Sequence, residues 1–262
     1  MAESYKIIAE QDYCTVVAKY ESSRKNGNAY QSEQDLERWL IEQLQRQGYE
    51  YPSIHNEKEL LENLRIQLGK ANDTEYSDKE WQSLLDILTS ETLTMEDKAG
   101  MIQKENTAVD IERDNGIKTN VHLIHKDNVF KNNLQVINQY VPAGGTHANR
   151  YDVTILVNGL PLVHIELKRR GVSIREAFNQ INRYARESFW AGKGMFDYIQ
   201  LFIISNGTET KYYSNTTRYA REQEADKQKG KKKKIQSNSF EFTSYWSDRE
   251  NNLICDLEDF TK

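Results

Sequence analysis

The stretch Arg150–Lys168, RYDVTILVNGLPLVHIELK, constrains the fold of this chain more than any other. Two short apolar runs flank an Asn-Gly turn signal. Each is too short for a helix of ordinary length and rich in β-branched residues, so they read as paired strands of a hairpin. Such strands need cover on both faces, which calls for a sheet with helices packed on it. Yet Asp152 sits near the start of the first run, and Glu166 and Lys168 near the end of the second. Side chains alternate along a strand, so His164, Glu166 and Lys168 share one face and Val163, Ile165 and Leu167 the other. Register decides whether the acids meet. A two-residue loop at Asn158–Gly159 sets Asp152 opposite Ile165, whereas a loop of odd length makes Asp152 and Glu166 neighbours. Pro161 cannot donate a ladder hydrogen bond, which favours a three-residue loop and adjacent acids.

The rest of the chain supplies the sheet and its cover. YCTVVAKY, TNVHLIH, LQVINQYV, YIQLFIIS and TETKYYS read as further strands, with a tight hairpin turn at Asn206–Gly207. SEQDLERWLIEQLQRQG reads as a helix, capped by Ser32 with Asp35 in capping-box position, striped by Leu36, Leu40, Ile41 and Leu44 and stopped by Gly48. A second helix, SIREAFNQINRYARESFW, places Ile174, Phe178, Ile181 and Ala185 on its inner face. Residues 57–105 are helical in pattern, with polar breaks near Asn72–Asp73 and Glu91–Thr94. The reading is an α/β fold with a mixed sheet flanked by helices. No apolar run reaches the roughly 18 residues of a membrane span, and the N-terminus lacks signal-peptide pattern. Two cysteines among 262 residues exclude a disulfide framework. A cytoplasmic protein is expected.

Two carboxylates side by side repel, and burial makes this worse. A divalent cation resolves the conflict, and an all-oxygen set with retained water suits Mg²⁺. Such a cation polarises a phosphoryl oxygen and lowers the pKa of bound water. Lys168 then orients the water or neutralises developing charge. The net charge of −5 conceals a basic interval holding Lys168, Arg169, Arg170, Arg175, Arg183 and Arg186 with one acid, Glu176. Local fields of this kind attract phosphate. Glu-x-Lys alone is a poor signal, since it recurs at Glu96–Lys98 and Glu209–Lys211. Only Glu166–Lys168 joins an apolar strand, an acid on the preceding strand and a basic helix after it. The competing reading is a salt-bridged pair at a strand end. His122 and His125, three apart on a strand, are expected to face opposite ways, and His164 to be a hydrogen-bonded core histidine. The lysine run within 220–239 reads as a solvated loop.

The same stretch closely resembles the nuclease motif of type I restriction enzyme R subunits, which carry a PD-(D/E)xK nuclease domain ahead of two helicase-like motor domains. Tyr151 replaces the motif's nominal proline. The resemblance implies that Asp152 and Glu166 bind metal, that Leu167 offers its backbone carbonyl, and that Lys168 is the catalytic lysine. Gln180-Ile-Asn-Arg-Tyr184 resembles the QxxxY motif of RecB-like nucleases, whose members share a helix face. Glu37 matches the helix acid that assists metal binding in several members. Arg169, Arg170 and Arg183 are expected to contact DNA phosphates, which supply affinity without reading sequence.

The implied activity is that of a type I site-specific deoxyribonuclease on double-stranded DNA, with Mg²⁺ as cofactor and modification and specificity subunits as partners. ATP and S-adenosylmethionine enter only through the full complex. Residues 1–262 are then one nuclease domain with a helical insert at about 57–105, and residues 240–262 resemble the junction toward a motor domain. No GxxxxGK[ST] occurs, so no ATPase site is expected here. The alternatives are a stand-alone structure-specific nuclease, against which the insert and the junction speak, and a non-catalytic DNA-binding or docking module, separated by metal binding.

Overall fold

A computed structural model describes residues 4–11, 14–21, 31–144, 149–189, 191–215 and 239–261. The lysine run lies outside these residues. The elements that position the site are a five-stranded sheet and the helices on its two faces. The sheet runs β5 (Leu134–Tyr140), β6 (Tyr151–Val157), β7 (Leu160–Leu167), β8 (Leu201–Ser205) and β9 (Thr210–Ser214) in that spatial order. It is mixed: β7 and β8 are parallel and the other pairs antiparallel. The parallel pair is joined through α5 (Ile174–Glu187), the crossover that such a pair needs. Strands β1 (Ser4–Gln11) and β2 (Cys14–Glu21), and likewise β3 (Ala108–Glu112) and β4 (Lys118–His122), form separate hairpins.

The sheet separates two apolar clusters. On one face lies α1 (Glu33–Arg46), whose Leu36, Leu40, Ile41 and Leu44 pack against Val136, Val153, Ile165, Leu167 and Ile203. Its start is fixed by the expected capping box: Ser32 Oγ accepts from the Asp35 N–H at 3.1 Å, and the Asp35 carboxylate accepts from the Ser32 N–H at 3.4 Å. On the other face, α5 buries Ile174, Phe178, Ile181 and Tyr184. That cluster also holds the helical insert, α2 (Glu57–Ala71), α3 (Asp78–Leu88) and α4 (Met95–Gln103), through Leu60, Leu64, Leu68, Leu84, Leu88 and Ile102. The insert therefore shares the core of the sheet. Asn72 and Thr94, within the two polar breaks, cap α2 and α4.

The β6–β7 hairpin corrects the expected loop. Its turn has two residues, Asn158 and Gly159, both at positive φ (51° and 83°), the backbone that two-residue hairpins favour. From the turn, Val157 pairs with Leu160 and Leu156 with Pro161, but Ile155 then pairs with Val163. Leu162 is thus an extra residue, a β-bulge of the kind that re-aims side chains. Beyond it Thr154 pairs with His164 and Val153 with Ile165. Continuing by one residue sets Asp152 opposite Glu166. The odd residue needed to bring the acids together comes from a bulge beside Pro161, where the missing N–H costs the ladder least.

Gly159 also seats the insert. A Cβ there would lie 2.7 Å from Leu64 Cα, on backbone already at φ +83°. Gly171, at φ +84°, has nothing within 4 Å of the same point. Gly159→Ala is therefore expected to cost about 3 kcal/mol and Gly171→Ala about 1 kcal/mol, read as urea unfolding midpoints. Equal costs at the two positions would contradict the packing of α2 on this turn.

Two smaller expectations concern a turn and a histidine pair. The tight turn expected after β8 is present: the Asn206 N–H donates to the Glu209 carbonyl at 3.1 Å, and Asn206 Oδ1 accepts from the Thr208 and Glu209 N–H groups at 3.1 and 2.8 Å. Strand β4 ends at His122, so His125 is not bound by strand alternation. The two rings lie 5.2 Å apart, and His125 Nε2 is 2.8 Å from the Ala71 carbonyl oxygen.

Candidate active site

Strand β7 is the middle strand of the sheet and is covered by helices on both faces, so its polar residues are stripped of water. His164 and Glu166 are fully buried, on the α5 side, while Ile165 and Leu167 face α1. Lys168 follows the strand end, with its N–H donating to the Ser205 carbonyl at 2.8 Å. Its ammonium turns back into the site, donating to the Leu167 carbonyl at 2.9 Å and to Glu166 Oε1 at 3.3 Å. From β6, Asp152 Oδ2 accepts from the Leu167 N–H at 2.9 Å. Asp152 is largely buried but keeps some exposure, so the site meets solvent on its side.

Two carboxyls in this setting resist ionisation together. Burial, then the neighbouring charge of Glu166, pushes Asp152 up to about 7. Burial pushes Glu166 up to about 8, against the pull of Lys168. One ammonium does not compensate two buried anions. Glu166 Oε2 has no hydrogen-bond partner, and neither does His164 Nε2. These two atoms lie 3.4 Å apart, within ion-pair reach but outside hydrogen-bond geometry. Burial pulls the His164 imidazole down to about 4, so it is neutral and brings no counter-charge. Two raised carboxyls, one of them with an unpartnered oxygen, and a main-chain carbonyl form an all-oxygen donor set, and that chemistry fits a hard divalent cation.

The expected fourth contributor, Glu37, is engaged elsewhere. Its carboxylate accepts from the side-chain amides of Asn138 and Gln139, and burial raises its pKa. Among the described residues, no group of three or more His, Cys, Asp or Glu is arranged to hold a metal. The acid that α1 does bring to the site is Glu33, one turn earlier: its Oε2 lies 3.9 Å from Lys168 Nζ, and its Oε1 accepts from the Arg169 N–H at 3.4 Å. Next to the Ser32 cap, an acid in the first turn reads as a partner for the helix dipole. Only the docking of that helix end against the end of β7 reveals its second contact.

Gln180 and Tyr184 do meet. The Gln180 amide donates to the Tyr184 hydroxyl, which donates to the Arg150 carbonyl at 2.9 Å. The pair thus anchors the chain two residues before Asp152. Arg169 and Arg183 are exposed. Arg183 Nε lies 3.9 Å from Glu187. Arg170 is half-buried. It lines a cavity of about 190 Å³ with Leu36, Trp39, Gly207, Asp256 and Leu257, between α1 and the C-terminal segment.

A mixed sheet flanked by helices, with acids from adjacent strands meeting at its centre, defines a restriction-endonuclease-like fold. Comparison with known proteins narrows this. Residues 30–221 match the family described as Type I restriction enzyme R protein N terminus. The chain is 45% identical over 267 residues to the Type I restriction enzyme EcoprrI endonuclease subunit of Escherichia coli, covering all of this chain and 78% of that protein. It is 38% identical over 239 residues to the SauMSSORF170P endonuclease subunit of Staphylococcus aureus (strain MSSA476), covering 89% of this chain and 23% of that protein. It is 40% identical over 238 residues to the SsaAORF53P endonuclease subunit of Staphylococcus saprophyticus, with the same coverage of 89% and 23%. The chain belongs to the family of type I restriction enzyme R protein N termini. It spans about a quarter of the staphylococcal subunits it matches. Among the described residues no helix is long and apolar enough to cross a membrane.

Proposed function

We propose that this chain is the endonuclease domain of a type I restriction R subunit and that it hydrolyses DNA phosphodiester bonds as a type I site-specific deoxyribonuclease with Mg²⁺ bound. The observation that carries this reading is the convergence of Asp152, Glu166 and Lys168 at the buried end of a hairpin whose bulge aligns the acids. Asp152, Glu166 and the Leu167 carbonyl would hold the cation. When bound, the cation supplies Lewis-acid stabilisation and an acidified water. In the hydrolysis proposed, a water oxygen would replace the sugar oxygen on phosphorus, the water giving up a proton to solvent and the sugar oxygen leaving with one taken from solvent. Lys168 Nζ stands beside both carboxylate and carbonyl, where it can orient the water or meet charge developing on phosphate. Gln180 and Tyr184 act as positioning residues for β6. The guanidinium groups of Arg169, Arg170 and Arg183 suit DNA phosphates, those of Arg169 and Arg183 being exposed and that of Arg170 half-buried beside the C-terminal segment.

The family supports a wider setting. The subunit works with modification and specificity subunits, residues 240–262 lead toward a motor domain, and ATP and S-adenosylmethionine serve the assembled complex rather than this site. The whole chain would act on DNA in the cytoplasm.

Titration calorimetry tests the metal site without requiring cleavage. The chain is expected to bind Mn²⁺ and, more weakly, Mg²⁺, with affinity falling at least tenfold when Asp152→Ala and Glu166→Ala are combined. Binding unaltered by that double substitution favours a non-catalytic docking module whose acids only form salt bridges.

A further inference from the structure

The mechanism above leaves one buried polar group unused. His164 has no solvent exposure. Its ring is caged edge-on by Tyr151, Tyr184 and Phe189, with centroids 5.5, 6.1 and 5.8 Å away. It cannot turn toward water. Its Nδ1 lies 3.4 Å from Thr154 Oγ1, the residue that faces it across the hairpin. The ring also has the Val153 backbone within hydrogen-bond reach; where the Thr154 hydroxyl donates to Nδ1, the imidazole proton rests on Nε2. That nitrogen is 3.4 Å from Glu166 Oε2, and neither atom has another hydrogen-bond partner. A buried donor and a buried acceptor left unpaired at this separation are costly apart and need only a small shift to bond.

We infer that His164 is a positioning residue for the metal-holding carboxylate: its Nε2–H donates to Glu166 Oε2 and fixes the rotation of the carboxylate, so that Oε1 stays toward Lys168. The inference rests on the reading of Asp152 and Glu166 as metal ligands. Groups that orient such ligands typically change metal affinity by roughly ten- to a hundredfold when removed. The relay runs Thr154, His164, Glu166, with a separation of 3.4 Å at each link across or along the β6–β7 hairpin.

The test uses this chain, with Mn²⁺ as the calorimetric probe. His164→Leu is expected to weaken binding about tenfold. His164→Gln, which keeps a donor, is expected to remain within about threefold of wild type. Far-ultraviolet circular dichroism and the unfolding temperature check that each variant folds. An independent readout, free of any substitution, is the tautomer of His164 from the nitrogen shifts of the ¹⁵N-labelled chain: Nε2–H is expected, and Nδ1–H overturns the inference. Equal weakening by Leu and Gln, or no weakening by Leu while Glu166→Ala abolishes binding, also overturns it and leaves the metal site standing. Binding insensitive to Glu166→Ala overturns the metal-site reading itself.

Discussion

Replacing any one of Asp152, Glu166 or Lys168 by alanine is expected to lower DNA cleavage by the assembled endonuclease at least a hundredfold, the scale on which transition-state charge stabilisation operates. The three losses have different origins. Glu166→Ala removes a buried carboxylate that faces Lys168 at 3.3 Å, leaving that ammonium without its closest anion. Asp152→Ala frees the Leu167 N–H, which donates to Oδ2, and opens the solvent side of the site. Lys168→Ala leaves both acids in place with less compensation, so metal affinity is held or rises while turnover falls. Glu33→Ala acts only through Lys168, at 3.9 Å and from an exposed position. Its cost is expected to stay below about tenfold, as for a weak, screened ion pair. The readout is cleavage of a plasmid carrying recognition sites, with folding and assembly of each variant verified. Full cutting by all three alanine variants contradicts the assignment.

The second large effect is on stability, and it runs opposite to the usual behaviour of carboxylates. Asp152 and Glu166 have folded values raised to about 7 and about 8 by burial, against ordinary values near 4. The folded chain therefore holds more protons than the unfolded chain between roughly pH 4 and pH 8. Stability falls with rising pH across such a window. The contribution is fully present below about pH 4 and is lost as pH passes through the raised values. One pKa unit corresponds to about 1.4 kcal/mol. The two groups titrate as a pair, so the metal-free loss is expected on the order of 3 kcal/mol, equivalent to roughly 5–10 °C in unfolding temperature for a chain of this size. Calorimetric scans at pH 5, 6, 7 and 8 in chelator read it directly. Asp152→Asn combined with Glu166→Gln is expected to flatten the dependence and to exceed wild type at pH 8. Saturating Mn²⁺ is expected to restore the wild type there, because a ligand held only by the folded state stabilises it. A wild-type profile that is flat, or that rises with pH, contradicts the buried ionisable pair.

Much of the site was legible in the residues. An apolar strand carrying Glu166 and Lys168, next to a strand carrying Asp152, already implied acids forced together in a low dielectric. The spacing of Gln180 and Tyr184 implied one helix face, and they do share a hydrogen bond. The Ser32 capping box fixed where α1 begins. What was not legible came from tertiary choices. Pro161 signalled an irregularity in the hairpin, but the sequence does not say whether the extra residue joins the turn or bulges from the strand, since both give the same parity at Asp152. Glu33 and Glu37 are one turn apart, and which of them reaches Lys168 depends on how far α1 slides along the sheet. Arg170 reads as a free basic residue until Asp256 and Leu257 approach from the far end of the chain. The pairing of His122 with His125 follows from a strand that ends early, which alternation of the pattern could not reveal.

Diffraction from crystals of this chain soaked in Mn²⁺ and recorded near the manganese edge would locate the cation that Asp152 and Glu166 are proposed to share. An anomalous peak is expected bonded to the Asp152 and Glu166 carboxylate oxygens and the Leu167 carbonyl, at roughly 2.0–2.3 Å, with Lys168 Nζ close by but not coordinated. A fully soaked crystal with no such peak, or with manganese bound only elsewhere on the chain, contradicts the proposed site.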